Sequence, residues 1–595
     1  MIIDYSRDNL LEEFSIKTLK DRYLLPHETS PQEAFARAAL TFADDDAHAQ
    51  RLYDYASKHW FMFATPLLSN GGSSRGLPIS CFLNYVEDSR HGITEVFTED
   101  AFLSSVGGGI GTYWGDVRST GIKTSSGSES TGVIPFMKVT DGLMLAFSQG
   151  VTRRGSNAAY LDISHPEIGE FLDIRKPTGD VNRMCLNLHH GVIISDKFMR
   201  LIERATEAKA KGEDFNDSWP LIDPHTKEVV KTVSARALWI KIIQNRAETG
   251  EPYIMFGDTV NDALPDFQQR LGLKVRQSNL CSEITLATDA NRTAVCCLSS
   301  VNAEKFDEWK DDPNFIPDLI RMLDNVIQVF IDNAPEQLYK AIYSATRERS
   351  LGLGLMGFHA YLQSKMIPLE SPMAKGINKK IFSHIKKQAK EETIRLADER
   401  GPCPDAKGVE NIRNAHLLAI APNASSSIIC GNTSPGIEPF RANAFNQKTM
   451  SGTSMMKNKY LEKVLADYDK NDDHTWASII ASGGSVAHLE FLSDYERAVF
   501  KTAIEIDQRW IVELAADRTE YICQAQSLNL FFPPDVSKQE LHYIHLLAWK
   551  KGVKTLYYLR SEAIKRSDDL SKKTEKHKFN FEAPITGEEC LACEG

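Results

Sequence analysis

The 595-residue chain has no run approaching ~18 consecutive apolar residues, so no membrane-spanning helix is expected. The start, MIIDYSRDNLLEEF, has no basic region followed by an apolar core, so no secretory leader is expected and a cytoplasmic location is. There is no excess of positive charge: 69 Lys+Arg stand against 80 Asp+Glu, a net charge of −11, which argues against nucleic-acid backbone binding. Cysteine is sparse, at ten residues, and only one CxxC occurs, Cys590-Leu591-Ala592-Cys593. A structural zinc site normally needs a second Cys or His pair, and a reducing compartment disfavours a disulfide framework. No bound metal is therefore expected, and the thiols are either inert core residues or chemically active.

What is present is an ordinary globular balance, 42% apolar and 25% charged. Residues 1–65 read as helical, with apolar residues at three- and four-residue steps in NLLEEFSIKTLKDRYL and PQEAFARAALTFADDDAHAQRLYDYASKHWF. Ser30-Pro31 supplies a cap and a first-turn proline, and Leu67 to Gly76 reads as a loop. Residues 66–560 alternate short apolar runs (HGVIIS, PYIMF, SNLCSEITL, LGLGLMGF, HLLAIAP) with amphipathic helices, the pattern of an α/β fold with a largely parallel sheet. Residues 561–595 turn polar and Lys-rich and read as a flexible tail carrying the CxxC.

Four motifs carry chemical content. LGLGLMG, residues 351–357, satisfies GxGxxG, but polar SATRERS precedes it and the glycines lie inside the apolar run, so a close-packed strand is favoured over a dinucleotide loop. GGGIG at 107–111 is a place where backbone can approach a ligand closely. APNASSSIICGNTSPGIEP, 421–439, offers either an anion cradle or a plain helix cap. In SNLCSEI, Asn279, Cys281 and Glu283 alternate, so an extended segment would point an amide, a thiol and a carboxylate the same way. That is an acid/base and thiol constellation if it faces a cavity, and a solvent-facing edge otherwise. Tyr557-Tyr558 is packing unless both rings stack in a line towards an oxidant or a thiol.

Together and in this order, TPLLSNGG…ISCF, GGGIG, NLCSEI, AVCCLSS, APNASSS…GIEP, GVKTLYY and the terminal CxxC resemble the large catalytic subunit of class I ribonucleotide reductases. The resemblance implies a ten-stranded α/β barrel of two five-stranded halves, reducing ribonucleoside diphosphates by thiyl-radical chemistry. By matching position, Cys281 resembles the thiyl residue, Glu283 the general base and Asn279 the amide bound to the sugar. Cys81 and Cys296 resemble the reducing pair, Cys590 and Cys593 the tail dithiol that restores it, and Tyr557 and Tyr558 the radical relay from a metal-containing small subunit. Thr65, Ser80, Gly109, Pro422, Asn423, Ala424, Ser425 and Ser426 resemble the substrate contacts, the Ser-rich turn holding the diphosphate. Asp88 and Arg118 resemble a deoxynucleotide-effector site at a homodimer interface. In GVTRRGSNAA (150–159), Arg154 resembles the residue that links effector to base choice. A thioredoxin- or glutaredoxin-like reductant is implied as a further partner.

Three departures bear on these expectations. Cys81 arrives too early for an N-terminal ATP-binding domain of about a hundred residues, so no activity switch of that kind is expected, although ATP remains a specificity effector. Cys297 adds a thiol beside Cys296 as an alternative disulfide partner. No basic residue near Lys123 clearly matches a second effector contact. The rival readings are an adenosylcobalamin-dependent reductase, against which the Tyr pair argues, a glycyl-radical enzyme, for which no C-terminal motif is present, and an inactive nucleotide-binding relative, which would have lost some of the reacting residues.

Overall fold

The structure is a computed structural model that describes residues 1–147, 155–449 and 452–561. Arg154, Cys590, Cys593 and the rest of 562–595 lie outside the described residues.

The N-terminal region folds as helices Glu13–Arg22, Pro31–Phe42 and Asp46–Ser57. Ser30 and Glu33 form a reciprocal capping box around Pro31, and the helix buries Phe35, Ala38, Ala39 and Phe42. The long periodic stretch from Pro31 is two helices, because Asp45 turns its side chain to the His48 N–H and starts a new one. The loop expected from Leu67 begins later. Pro66 preorganises the short helix Thr65–Asn70, whose residues are all buried, and Gly71 caps it.

The strands form a closed ring. Cys81–Tyr85, Gly109–Tyr113, Ser156–Asp162, His189–Ile194 and Tyr253–Phe256 pair in parallel, in that order. A second parallel series starts with Ala294–Asn302 and Leu351–Met356. It continues through the bridges Leu353 to Leu418 and Ile420 to Gln526, then Leu530–Phe532 beside Leu559–Ser561. Two antiparallel seams join the halves, Cys81–Tyr85 against Ala294–Asn302 and Tyr253–Phe256 against Thr555–Leu556. The circuit of ten extended segments in two five-stranded halves is the α/β barrel implied above. HLLAIAP contributes only single bridges rather than a regular strand.

SNLCSEITL departs from expectation. It is a loop within the ring, not a strand. The Asn279 N–H donates to the Ile284 carbonyl at 3.2 Å and the Ser282 N–H to the Asn279 carbonyl at 3.2 Å, folding the segment back on itself. Ser282 takes a left-handed φ of 67° at the tip.

The glycine motifs explain how strands and loop fit. A Cβ on Gly352 would lie 2.4 Å from Leu298 Cδ2, and one on Gly354 would lie 2.7 Å from the Ala419 carbonyl oxygen. LGLGLM is a close-packed buried strand, not a phosphate loop. In GGGIG the close approach is to the chain itself, since a Cβ on Gly111 would stand 1.9 Å from the Ser278 carbonyl oxygen. The barrel wall therefore needs glycine there to admit the loop. Gly111→Ala is expected to destabilise the fold by about 1–3 kcal/mol through overpacking. Chemical denaturation of the variant beside the parent measures it, and an unchanged midpoint would contradict this packing.

Candidate active site

The loop is held on all sides. Gln277 Nε2 donates to the Asn84 and Gly111 carbonyls at 2.7 and 3.1 Å. The Tyr160 hydroxyl donates to the Asn279 carbonyl at 3.1 Å, and Asn279 Oδ1 accepts from the Ile284 N–H at 3.1 Å. Ser527 Oγ lies 2.6 Å from the Cys281 carbonyl and 3.1 Å from Glu283 Oε2. The Ala525 N–H donates to the Glu283 carbonyl at 2.9 Å, and Thr555 Oγ1 to that of Ser282 at 2.8 Å. Asn279, Cys281 and Glu283 are all buried. The tight turn, rather than strand alternation, brings Cys281 and Glu283 to one cavity, with Asn279 reaching Cys81 beside them.

Register does the same for two more thiols. Cys81 stands directly opposite Cys296 across the first antiparallel seam. Residues so paired have Cα atoms ~4.5–5.5 Å apart, inside the range a disulfide requires. Asn279 Nδ2 reaches Cys81 Sγ at 3.8 Å and Gln524 Nε2 reaches Cys296 Sγ at 3.5 Å. Gln524 also donates to the Leu351 carbonyl at 2.9 Å and accepts from the Thr285 N–H at 3.2 Å, so one amide ties Cys296 to the loop. Cys81, Cys281, Glu283, Cys296, Ser80 and Pro422 line a single narrow cleft. Burial, reinforced by the neighbouring Cys297, pushes the Cys296 thiol well above its ordinary range, so it carries its proton at neutral pH. Cys297 also borders the cleft, although its sulfur is turned the other way. Its Sγ faces outward and contacts the Leu323 carbonyl at 3.3 Å, because successive strand residues point to opposite faces.

The Ser-rich turn stands beside the cleft. Asn423 takes a left-handed φ of 57° before the helix Ala424–Ile429. Ser300 Oγ donates to its Oδ1 at 3.0 Å, and its Nδ2 to the Leu355 carbonyl at 3.3 Å. Ser425 Oγ is 3.3 Å from Arg22 Nη1, which brings a cation from the N-terminal helices. Ser426 Oγ is buried with no hydrogen-bond partner. Thr65 Oγ1 is 3.0 Å from the Tyr23 hydroxyl, and the Gly109 N–H donates to the Ser80 carbonyl at 2.6 Å.

Tyr557 and Tyr558 are buried with ring centroids 4.3 Å apart. They share one packed cluster with Tyr253, Leu280 and Cys281. The two rings are tilted at 50° to each other rather than stacked. Arg246, fully buried, donates to the Tyr557 carbonyl at 2.9 Å, and the Tyr558 N–H donates to Asn529 Oδ1 at 3.0 Å. The Arg560 guanidinium lies 4.2 Å from the centroid of the Tyr558 ring.

At the other candidate site, Arg118 Nε and Asp88 pair at 2.9 Å, and Arg118 Nη1 donates to the Lys123 carbonyl at 3.0 Å. His225 Nδ1 lies 3.1 Å from Asp88, a neighbour that sequence reading missed. Arg22, Gln524, Ser527 and His225 carry no motif of their own. Each works through a partner remote in sequence, and QAQS at 524–527, on the chain running up to the Tyr pair, was the one readable hint.

The comparisons agree with this geometry. Residues 79–411 and 406–559 match the family model for the ribonucleotide reductase barrel domain, and residues 9–76 that for its all-alpha domain. The chain is 45% identical over 640 residues to the ribonucleoside-diphosphate reductase large subunit of Invertebrate iridescent virus 3, covering all of both chains. It is 47% identical over 553 residues to the putative ribonucleoside-diphosphate reductase large subunit of Frog virus 3, covering 92% of each. Its fold is similar to the Actinobacillus ureae class Id ribonucleotide reductase alpha subunit, with a TM-score of 0.81, 34% identity, and 94% of this chain and 98% of that one covered. A barrel with cysteines facing each other across its seam, and domain matches from residue 9 to residue 559, place this chain in the ribonucleotide reductase large-subunit family.

Proposed function

We propose that the chain is the catalytic subunit of a class I ribonucleoside-diphosphate reductase, converting ribonucleotides to 2′-deoxyribonucleotides. The observation that carries this reading is the pairing of Cys81 with Cys296 in a cleft that Cys281 and Glu283 also line. Replacing a C2′–OH by C2′–H consumes two electrons, and two adjacent thiols supply them by closing a disulfide.

In this reading a thiyl radical on Cys281 takes the 3′ hydrogen atom and Glu283 takes the 3′-hydroxyl proton. The C2′–O bond breaks and its oxygen leaves as water, protonated from the thiol pair. One thiol supplies that proton and the other the hydrogen that C2′ gains, as Cys81 and Cys296 close to a disulfide; Glu283 gives its proton back to the 3′ oxygen, and Cys281 returns the hydrogen atom to C3′. Asn279 donates to the reacting sugar. Thr65, Ser80, Gly109 and Pro422 to Ser426 hold the nucleotide, with the diphosphate on the Ser-rich turn beside Arg22. The radical enters from a separate metal-containing small subunit through Tyr558 and Tyr557. Cys590 and Cys593 reopen the disulfide by exchange and are themselves restored by a thioredoxin- or glutaredoxin-like protein. A deoxynucleotide or ATP effector binds near Asp88, Arg118 and Arg154 in a homodimer.

With the small subunit present, Cys281→Ser is expected to lose deoxynucleotide formation to background while binding nucleoside diphosphate within about twofold of the parent. Product formation and equilibrium binding measure the two, and retained turnover would refute the radical assignment. Turnover with adenosylcobalamin and no second protein would instead move the chain to the cobalamin-dependent class. Arg22→Ala is expected to raise KM for diphosphate substrates about tenfold, with kcat changed less, as loss of one charge-assisted phosphate contact predicts. Equal KM values for parent and variant would remove Arg22 from the substrate site.

A further inference from the structure

One cysteine outside the cleft has surroundings unlike the others. Cys523 is partly exposed, just before Gln524. Its Sγ accepts from the backbone N–H groups of Leu417 and Leu418 at 3.1 and 3.2 Å, both short for sulfur. The Leu418 carbonyl, at 3.5 Å, is a weaker and opposing contact.

His416 supplies an independent sign. It is buried, its Nε2 is 2.9 Å from Gln268 Oε1, and its Nδ1 has no hydrogen-bond partner among the described residues. An amide oxygen on Nε2 places the neutral ring's proton there and leaves Nδ1 able to take one, and the ring interacts with the Cys523 thiol. A thiol, a ring that can take its proton, and a side chain that orients the ring form the arrangement of an activated nucleophile.

Other charges act in the same direction. The charge of Lys386, on the helix Pro372–Arg400, favours the ionised sulfur. Lys554 is buried close by, donating to the carbonyls of Ile522, Cys523 and Gln524 at 3.2, 2.8 and 2.7 Å. Glu348 lies behind His416, reached through Gln268 Nε2 at 3.3 Å. Burial pushes the Cys523 thiol up, but Lys386, His416 and the Leu417 N–H together outweigh it and bring it down to about 5. Burial instead takes Cys185 up to about 12 and Cys403 up to about 11.

We propose that Cys523 is a thiolate site for covalent modification by hydroperoxides and small electrophiles, separate from the substrate cleft. With hydrogen peroxide, the sulfur attacks one oxygen, an S–O bond forms and the O–O bond breaks. The sulfur is oxidised by two electrons to a sulfenic acid, and the departing oxygen takes the proton held by His416 and leaves as water. The chemistry needs neither nucleotide nor small subunit.

The test uses the full-length reduced chain and follows each cysteine by peptide mass spectrometry. With limiting iodoacetamide at pH 6, Cys523 is expected to react at least about tenfold faster than Cys185 or Cys403, with a half-maximal rate near pH 5. With peroxide followed by dimedone, the adduct is expected on Cys523. His416→Asn should move the midpoint upward. Lys386→Met, on a half-buried helix position outside the core, should do so too, slowing the reaction at pH 6. A midpoint near the ordinary ~8.5, labelling no faster than Cys403, or a profile unmoved in both variants would overturn the proposal. Alkylation of Cys523 without a dimedone adduct would overturn the hydroperoxide assignment.

Discussion

The site depends first on one register, that of Cys81–Tyr85 against Ala294–Asn302. This is an antiparallel seam between two parallel halves, so each residue has one partner directly opposite. Cys81 meets Cys296, Phe82 meets Val295 and Leu83 meets Ala294. A slip of one residue would set Cys81 against Val295 or Cys297, whose side chains belong to the other face. The burial of Phe82 and Val295 enforces the register, because a slip would turn both out of the apolar packing they now fill. The thiol pair is thus aligned by hydrophobic patterning, and no covalent bond has to hold it in place.

The second constraint is the loop threaded through the ring. A polar loop inside a barrel must satisfy its backbone groups there, and partners come from several strands: Tyr160, Ser527, Thr555 and the Ala525 N–H. These bonds fix Cys281 and Glu283 while leaving little room for water. That environment suits a sulfur radical, which water-borne reductants and oxidants would otherwise quench. The same packing holds Tyr557 and Tyr558 against Tyr253, and Arg246 clamps the Tyr557 carbonyl from outside the aromatic cluster. Loop, ring and aromatic cluster are therefore one packed unit.

Much of this was legible in the chain. Pro31–Phe42 is legible from its Ser30 cap and period, Phe315–Asn333 from period alone, and buried strands such as His189–Ile194 from short apolar runs. The loop 278–284 was misread as extended because its composition, apolar residues beside small polar ones, is also that of a buried strand. Only the left-handed Ser282 and the Asn279 to Ile284 pairing distinguish the two, and both are set by tertiary contacts. The ring itself could not be derived from local pattern, since its seams join segments far apart in sequence. Arg22 and Gln524 were invisible for the same reason: a lone Arg on an amphipathic helix and a lone Gln in a loop look like solvated residues until the fold brings Ser425 and Cys296 to them.

Gln524 and its neighbour show how one backbone sets opposite characters on two sulfurs. Gln524 points inward and offers Cys296 a single amide donor, too little to offset full burial, so that thiol keeps its proton and can deliver it. Cys523, one residue earlier, meets two backbone N–H groups, an imidazole that can take its proton and a lysine, and burial loses. Both sulfurs are desolvated, so desolvation alone does not decide reactivity. The number and charge of the donors within reach decide it, and the bend at residues 523 and 524 presents a different set to each.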